Sequence, residues 1–209
     1  MEYIPLLITV ALAHLLAVIS PGPDFVMITR NSLIYSRKTG IYSALGLGLG
    51  ILVHVTYSLV GIGLLISQSI LLFTILKFVG AIYLLYIGYK SLTAKTSSPQ
   101  SVDAGQEKDI SPRKAVRMGF ITNATNPKAT LFFLSLFTLI IGPTTPLYLK
   151  ILMGLEMAVV TFLWFALVAT VFSHGSIKGR VAKFQGAISK ITGVIFILLG
   201  LKLATSSAK

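Results

Sequence analysis

Residues 4–30 read IPLLITVALAHLLAVISPGPDFVMITR. The run Ile4 to Ile19 is apolar, stops at Ser20-Pro21-Gly22-Pro23-Asp24-Phe25, and resumes through Val26-Met27-Ile28 to Arg30. Proline lacks a backbone N–H, and its ring clashes with the preceding helical turn. Two prolines around a glycine therefore cannot lie inside a regular helix. The stretch predicts a first membrane helix that is broken in its middle. Only Glu2 and Tyr3 stand between Met1 and the run. With no positive segment ahead of it, the run reads as a retained span, although Ala11-Leu12-Ala13 looks like a cleavage site.

The composition extends that reading to the whole chain. Of 209 residues, 55% are hydrophobic and 11% charged, and the mean hydropathy is +0.86. A soluble domain carries about 25% charged residues, so this surface could not face water without large apolar patches. At roughly 20 residues per span the apolar content allows about six membrane helices. A soluble enzyme and a disordered chain are both excluded. The net charge of +12 raises nucleic acid as a partner, but Lys and Arg gather in gaps between apolar runs instead of forming a stripe. Nucleic-acid binding is not expected. The absence of cysteine excludes disulfides and thiolate metal sites. Three histidines and six carboxylates leave little for a metal site, and neither a metal nor another cofactor is expected.

The second span runs from about Ile41 to Ile66 and the third from about Ile70 to Leu92. Thr93 to Pro112 is a polar linker. The fourth span starts after Arg117 and reaches Ile141, interrupted at Asn123-Ala124-Thr125-Asn126-Pro127-Lys128. A turn at Gly142 to Pro146 leads to a fifth span, Leu147 to Phe172, and a sixth covers Ala187 to Leu203. Alternate ends of these spans differ in charge. One side collects Arg30, Arg37 and Lys38, the basic residues from Lys90 to Arg117, and Lys178, Arg180, Lys183 and Lys190; the other holds Lys150, Lys202 and Lys209. Lys77 and Lys128 belong to neither group. The positive-inside rule puts the first side in the cytoplasm and both termini outside.

The halves repeat each other. Lys77-Phe78-Val79-Gly80-Ala81-Ile82-Tyr83 parallels Lys190-Ile191-Thr192-Gly193-Val194-Ile195-Phe196, and Tyr42 and Gly48 parallel Tyr148 and Gly154. Pro23-Asp24 parallels Pro127-Lys128. Three spans per half invert the second half relative to the first. The expected fold is an all-α membrane protein of six transmembrane helices, built as two inverted three-helix repeats, with helices 1 and 4 broken at proline motifs. Residues 1–92 form the first repeat, 93–112 the cytoplasmic linker, and 113–209 the second repeat. Broken helices in corresponding positions of inverted repeats mark the binding site of a secondary transporter.

Asp24 and Lys128 carry the sharpest chemistry. Asp24 is explained either as a helix cap, since carboxylates are favoured at a helix N-terminus, or as a ligand. Lys128 opposes the dipole of its own half-helix, and a charge inside the membrane is costly unless paired. An anion is expected beside it: Asp24, Glu156 or a bound carboxylate. A zwitterionic amino acid fits, with its carboxylate at Lys128 and its ammonium at Asp24 and the unwound carbonyls of Pro21, Gly22 and Pro23. Asn123 and Asn126 either bind it too or cap the break. His54 and Glu156 lie inside spans two and five and, with Asp24, are the proton-coupling candidates. Gly154 and Ala158 leave room around Glu156. His14 reads as a packed, hydrogen-bonded core residue. The Gly46 to Gly50 spacing is a close-packing pattern, within one protomer or at a homodimer interface.

Ser20-Pro21-Gly22-Pro23-Asp24-Phe25 together with Thr122-Asn123-Ala124-Thr125-Asn126-Pro127-Lys128-Ala129 resembles the LysE/RhtB family of bacterial amino-acid exporters. The resemblance covers essentially the whole chain, including Gly80 to Leu84. His14-Leu15 ahead of the first motif resembles the homoserine/threonine branch most. It implies export of a small neutral amino acid across the bacterial cytoplasmic membrane by proton antiport, with Pro21, Gly22, Pro23, Asp24, Asn126, Pro127 and Lys128 at the site. A transporter and not an enzyme is expected, with an amino-acid substrate and the lipid bilayer as its partners. A cation or other small-metabolite exporter on the same scaffold is the alternative.

Overall fold

The computed structural model describes residues 3–68, 70–93, 108–139, 141, 145–173, 190–191, 193–201 and 204–205. Every regular element among them is a helix. Helix α1 (Ile4–Ile19) ends where Pro21 withholds the N–H that the Ala17 carbonyl would accept. Ser20 and Gly22 are extended, and α2 (Pro23–Ile34) begins on a proline, at the position where a missing N–H leaves nothing unpaired. The axes of α1 and α2 differ by 55° across this break. The long helices α3 (Arg37–Gln68) and α4 (Ile70–Thr93) follow. Helices α5 (Pro112–Ala124) and α6 (Pro127–Leu139) are separated by Thr125 and Asn126. Helix α7 spans Leu147–Phe172, and residues 193–201 are helical again.

Most predicted boundaries hold within a few residues, and the fifth span matches α7 end to end. Two need correction. Helix α3 starts at Arg37 rather than Ile41, because Ser36 Oγ accepts the Thr39 N–H at 3.1 Å and caps it. The linker was expected to run through Pro112, but Pro112 opens α5, and Ser111 Oγ accepts the Lys114 N–H at 3.4 Å. The core of the linker, the turn at 142–144, the start of the sixth span, His174 and the Lys77 side chain lie outside the described residues. Among the described residues α3 (through Val60) and α7 are each long and apolar enough to cross a membrane, and the bent α1–α2 pair qualifies as one unit.

Lipid tails are as apolar as leucine, so membrane helices associate through close packing rather than through exclusion of water. The glycines supply it here. A Cβ on Gly46 would run into the carbonyl of Val116, and one on Gly119 into the carbonyl of Ser43, so the backbones of α3 and α5 touch. On another face of α3 a Cβ at Gly48 would lie 2.8 Å from the Ala158 carbonyl, and one at Gly154 would lie 2.6 Å from Val55. The Gly46 to Gly50 spacing thus packs helices within one chain. Gly154 and Ala158 seat α7 on α3, rather than leaving room around Glu156 as their size suggested. Gly88 of α4 and Gly193 meet in the same manner, each Cβ falling within 2.9 Å of the other's carbonyl.

Side chains fill two cores. One joins Phe133 and Phe137 of α6 to Met153 and Met157 of α7 and Val10 of α1. The other joins Phe25 and Ile28 of α2 to Leu47 of α3 and Phe165 and Phe172 of α7. Outside the bilayer region, Asp109 just before α5 accepts hydrogen bonds from Thr39 Oγ1 and from Ser36 Oγ, the latter at 2.7 Å. Those two donors hold its carboxyl below the usual carboxylate range. The contact brings the end of the linker and the α2–α3 turn to one end of the bundle.

Candidate functional site at two facing helix breaks

Each proline break strands a carbonyl. In an α-helix the carbonyl of residue i accepts the N–H of residue i+4. Pro21 therefore orphans Ala17, and Pro127 orphans Asn123. A buried unpaired carbonyl is costly. The Asn123 carbonyl accepts the Asn126 N–H at 2.8 Å within its own turn, and both carbonyls also gain a donor from across the site. Lys128 Nζ donates to the Ala17 carbonyl at 3.2 Å, to Ser20 at 3.0 Å and to Pro21 at 3.5 Å. The anion expected beside Lys128 is thus the negative C-terminal end of α1. Of the unwound carbonyls expected to hold an ammonium ligand, that of Pro21 carries this lysine. At the second break His54 Nε2 lies 2.8 Å from the Asn123 carbonyl.

A carbonyl can only accept, so Nε2 bears the proton and donates. In the neutral ring Nδ1 then accepts, and the Tyr57 hydroxyl lies 2.7 Å from it. Phe133 stacks on the ring at 5.4 Å.

Asp24 binds the second break from the first. Its Oδ2 accepts Asn123 Nδ2 at 2.8 Å and its Oδ1 accepts Asn126 Nδ2 at 3.0 Å. Asn126 also caps α6, as one of its two expected roles has it, since its Oδ1 accepts the Lys128 N–H at 3.0 Å. Helix α2 has no side-chain cap of its own. Gly50, directly over Asn123, keeps α3 close: a Cβ there would be 2.8 Å from Asn123 Oδ1.

Between the breaks lies a narrow cavity that opens to solvent. Gly22, Asp24, Asn123, Asn126 and Lys128 line its polar end. Pro21, Pro23 and Pro127 shape the backbone without lining it, and His54 stands one residue behind Asn123. Glu156 is half-buried on α7 and is not part of the cavity wall.

His14 is the packed, hydrogen-bonded residue that was expected, with Thr161 Oγ1 at 3.3 Å from its Nε2, and both also border the cavity. Sequence reasoning missed the carbonyl partners of Lys128 and His54. A signal existed: a proline four residues on marks a carbonyl that needs a donor.

A helical membrane protein with Asp24, Asn123, Asn126 and Lys128 meeting at two facing helix breaks is the class that fold and site define. The chain belongs to the LysE type translocator family, whose pattern matches residues 15–207. It is 30% identical over 202 residues to a threonine efflux protein of Escherichia coli strain K12, covering 96% of this chain and 98% of that one. It is 30% identical to the uncharacterized membrane protein YrhP of Bacillus subtilis strain 168, over 90% of this chain and 93% of that one. An uncharacterized membrane protein of Vibrio cholerae is 31% identical over 96% and 99%. No solved structure matches the chain.

Proposed function

We propose that the protein is a secondary transporter that exports a small neutral amino acid, threonine- or homoserine-like, from the cytoplasm by proton antiport. The observation that carries this is the cavity between the breaks, where an acid and a base on opposite half-helices stand within reach of one small zwitterion. The ammonium would meet Asp24. The carboxylate would meet Lys128, displacing the Pro21 carbonyl, the longest of the lysine's three contacts at 3.5 Å, and would face the uncapped first turn of α2. Asp24 and His54 both bond to Asn123, so a proton on either is felt at the other, and these two are the coupling residues we favour. Glu156 enters only as a residue that titrates away from the cavity. The name of the Escherichia coli relative supports threonine as the first substrate to test.

The same proposal includes six spans in two inverted repeats, 1–92 and 113–209, around a cytoplasmic linker at 93–112. The reciprocal contacts of α3 with α7, and of α4 with residues 193–201, support it, because each pairs a helix with its repeat counterpart. Both termini then face outward in the bacterial inner membrane. A homodimer is a candidate assembly that the lipid-facing surface would have to supply.

The deciding experiment is efflux from proteoliposomes loaded with a panel of labelled amino acids, with and without a pH gradient. Threonine or homoserine efflux that quickens when protons are driven inward is the expected result. No amino-acid efflux would overturn the transporter, and indifference to the gradient would overturn antiport. For orientation, Ser97→Cys should resist an impermeant thiol reagent in intact cells and react after lysis. Labelling in intact cells would invert the topology.

A further inference from the structure

The cavity wall away from the breaks is apolar: Val18, Ile51, Phe132, Phe133 and Phe165. Two polar side chains are set into it, His14 from α1 and Thr161 from α7, only 1% and 0% exposed. The Thr161 hydroxyl lies 3.3 Å from His14 Nε2, while His14 Nδ1 has no hydrogen-bond partner among the described residues. Phe133 and Phe132 hold the imidazole by its edges, with ring centroids at 6.1 and 6.3 Å. An orphaned nitrogen on a buried ring that borders a cavity is costly to maintain unless something that enters the cavity reaches it.

We propose that His14 and Thr161 form a subsite that recognises the side-chain hydroxyl of a short hydroxylated amino acid. This subsite presupposes the amino-acid exporter proposed above. Its position fits: His14 lies one helical turn, about 4.5 Å along the axis, before Ala17, whose carbonyl holds Lys128. A molecule with its charged end at Asp24 and Lys128 directs its side chain toward His14.

The chemistry fits as well. In a neutral imidazole one nitrogen donates and the other accepts. If Nε2–H points at Thr161, Nδ1 is an acceptor; if the threonine donates to Nε2, Nδ1–H is a donor. A hydroxyl satisfies Nδ1 in both states. An ammonium satisfies it only in the first, a carboxylate only in the second, and an alkyl group in neither.

Threonine and valine differ only by hydroxyl against methyl, so their ratio of efflux rates from proteoliposomes isolates this contact. The wild-type protein should favour threonine by about tenfold or more, because leaving a built polar site unpaired is what rejects the apolar isostere. His14→Leu should bring the ratio near unity by lowering threonine efflux more than valine efflux. Thr161→Val, which preserves shape, should lower the ratio in the same direction, and His14→Gln should retain part of the preference. Equal wild-type rates for the two amino acids would overturn the subsite. So would an unchanged ratio in both variants, or a loss of both substrates in equal measure in folded protein, which would make His14 structural. Wild-type protein that exports neither amino acid would overturn the exporter and the subsite together. In the other cases the exporter stands and only the subsite falls.

Discussion

The two breaks are made by the same device and satisfied by opposite means. At the first, Pro21 strands the Ala17 carbonyl, and a full cation, Lys128, serves it and two neighbours. At the second, Pro127 strands the Asn123 carbonyl, and an imidazole N–H serves it. The first break is wide, bent by 55° and without a side-chain cap. The second is a tight turn closed by the Asn126 N–H on Asn123 at 2.8 Å and capped by Asn126. The difference teaches that the first break depends on the other half of the chain for its donor, whereas the second closes on itself and gains the imidazole as a further donor. The break that lacks a cap is the one whose amides are left for a visitor.

Removing the cation should have the largest effect. Lys128→Met leaves three carbonyls of the first break without their donor and the buried carboxylate of Asp24 without its counter-charge. Breaking a buried charge by deleting one partner costs about 3–5 kcal/mol, or roughly 10 °C in the thermal midpoint for a chain of this size. Adding Asp24→Asn should recover part of that loss and none of the transport. Thermal melts in detergent on the four-member cycle check this, and strictly additive losses would show that the two breaks do not communicate.

Asp24→Asn alone should separate fold from function. Asn123 Oδ1 has no hydrogen-bond partner among the described residues, so the Asn123 amide can turn over and accept from the new side chain. Stability should fall by about 1 kcal/mol, while gradient-driven efflux falls by an order of magnitude or more. Efflux at the wild-type rate, at matched protein levels, would reduce Asp24 to a cap.

Asp109 is the control, distant from both breaks. Its carboxyl is held below the usual range, chiefly by Thr39 and Ser36, so the tie is fully present above the ordinary carboxylate pKa and is lost as pH falls through the lowered one. The group is exposed, and Asp109→Asn should shift the midpoint at neutral pH by no more than about 2 °C. That small difference should vanish in acid. A larger shift would give the linker a share in stability that the breaks do not explain.

The broken helices and the long span Leu147–Phe172 were legible in the sequence, because proline chemistry and apolar runs are local signals. The bonds from Asn123 and Asn126 to Asp24 were not. The start of α5 was legible too, in Ser111-Pro112, but the polar composition around it masked the cap. The partner of Lys128 was not, because backbone carbonyls carry no letter. His14 is packed and hydrogen-bonded as expected, but that it also borders the cavity was not legible, because core and cavity wall have the same composition. Gly154 and Ala158 look like room for Glu156 until the facing helix is known to occupy it.

The glycine seam between α3 and α5 constrains how such a machine can move. Gly46 lies against the Val116 carbonyl and Gly119 against that of Ser43, so two backbones are locked with no side chains between them to slide. Because α3 lies in the first half of the chain and α5 in the second, the halves cannot rock as separate blocks without tearing that seam. Gating would then fall to the pieces hung on it, with α1 and α6 swinging on their proline joints beside a fixed spine. Spin labels on the exposed Leu45 and Phe120 should keep one separation with and without substrate, and a change in that distance would rule the fixed spine out. In such a design the chain's two halves are not its two moving parts, and the boundary that matters for motion runs through each repeat rather than between them.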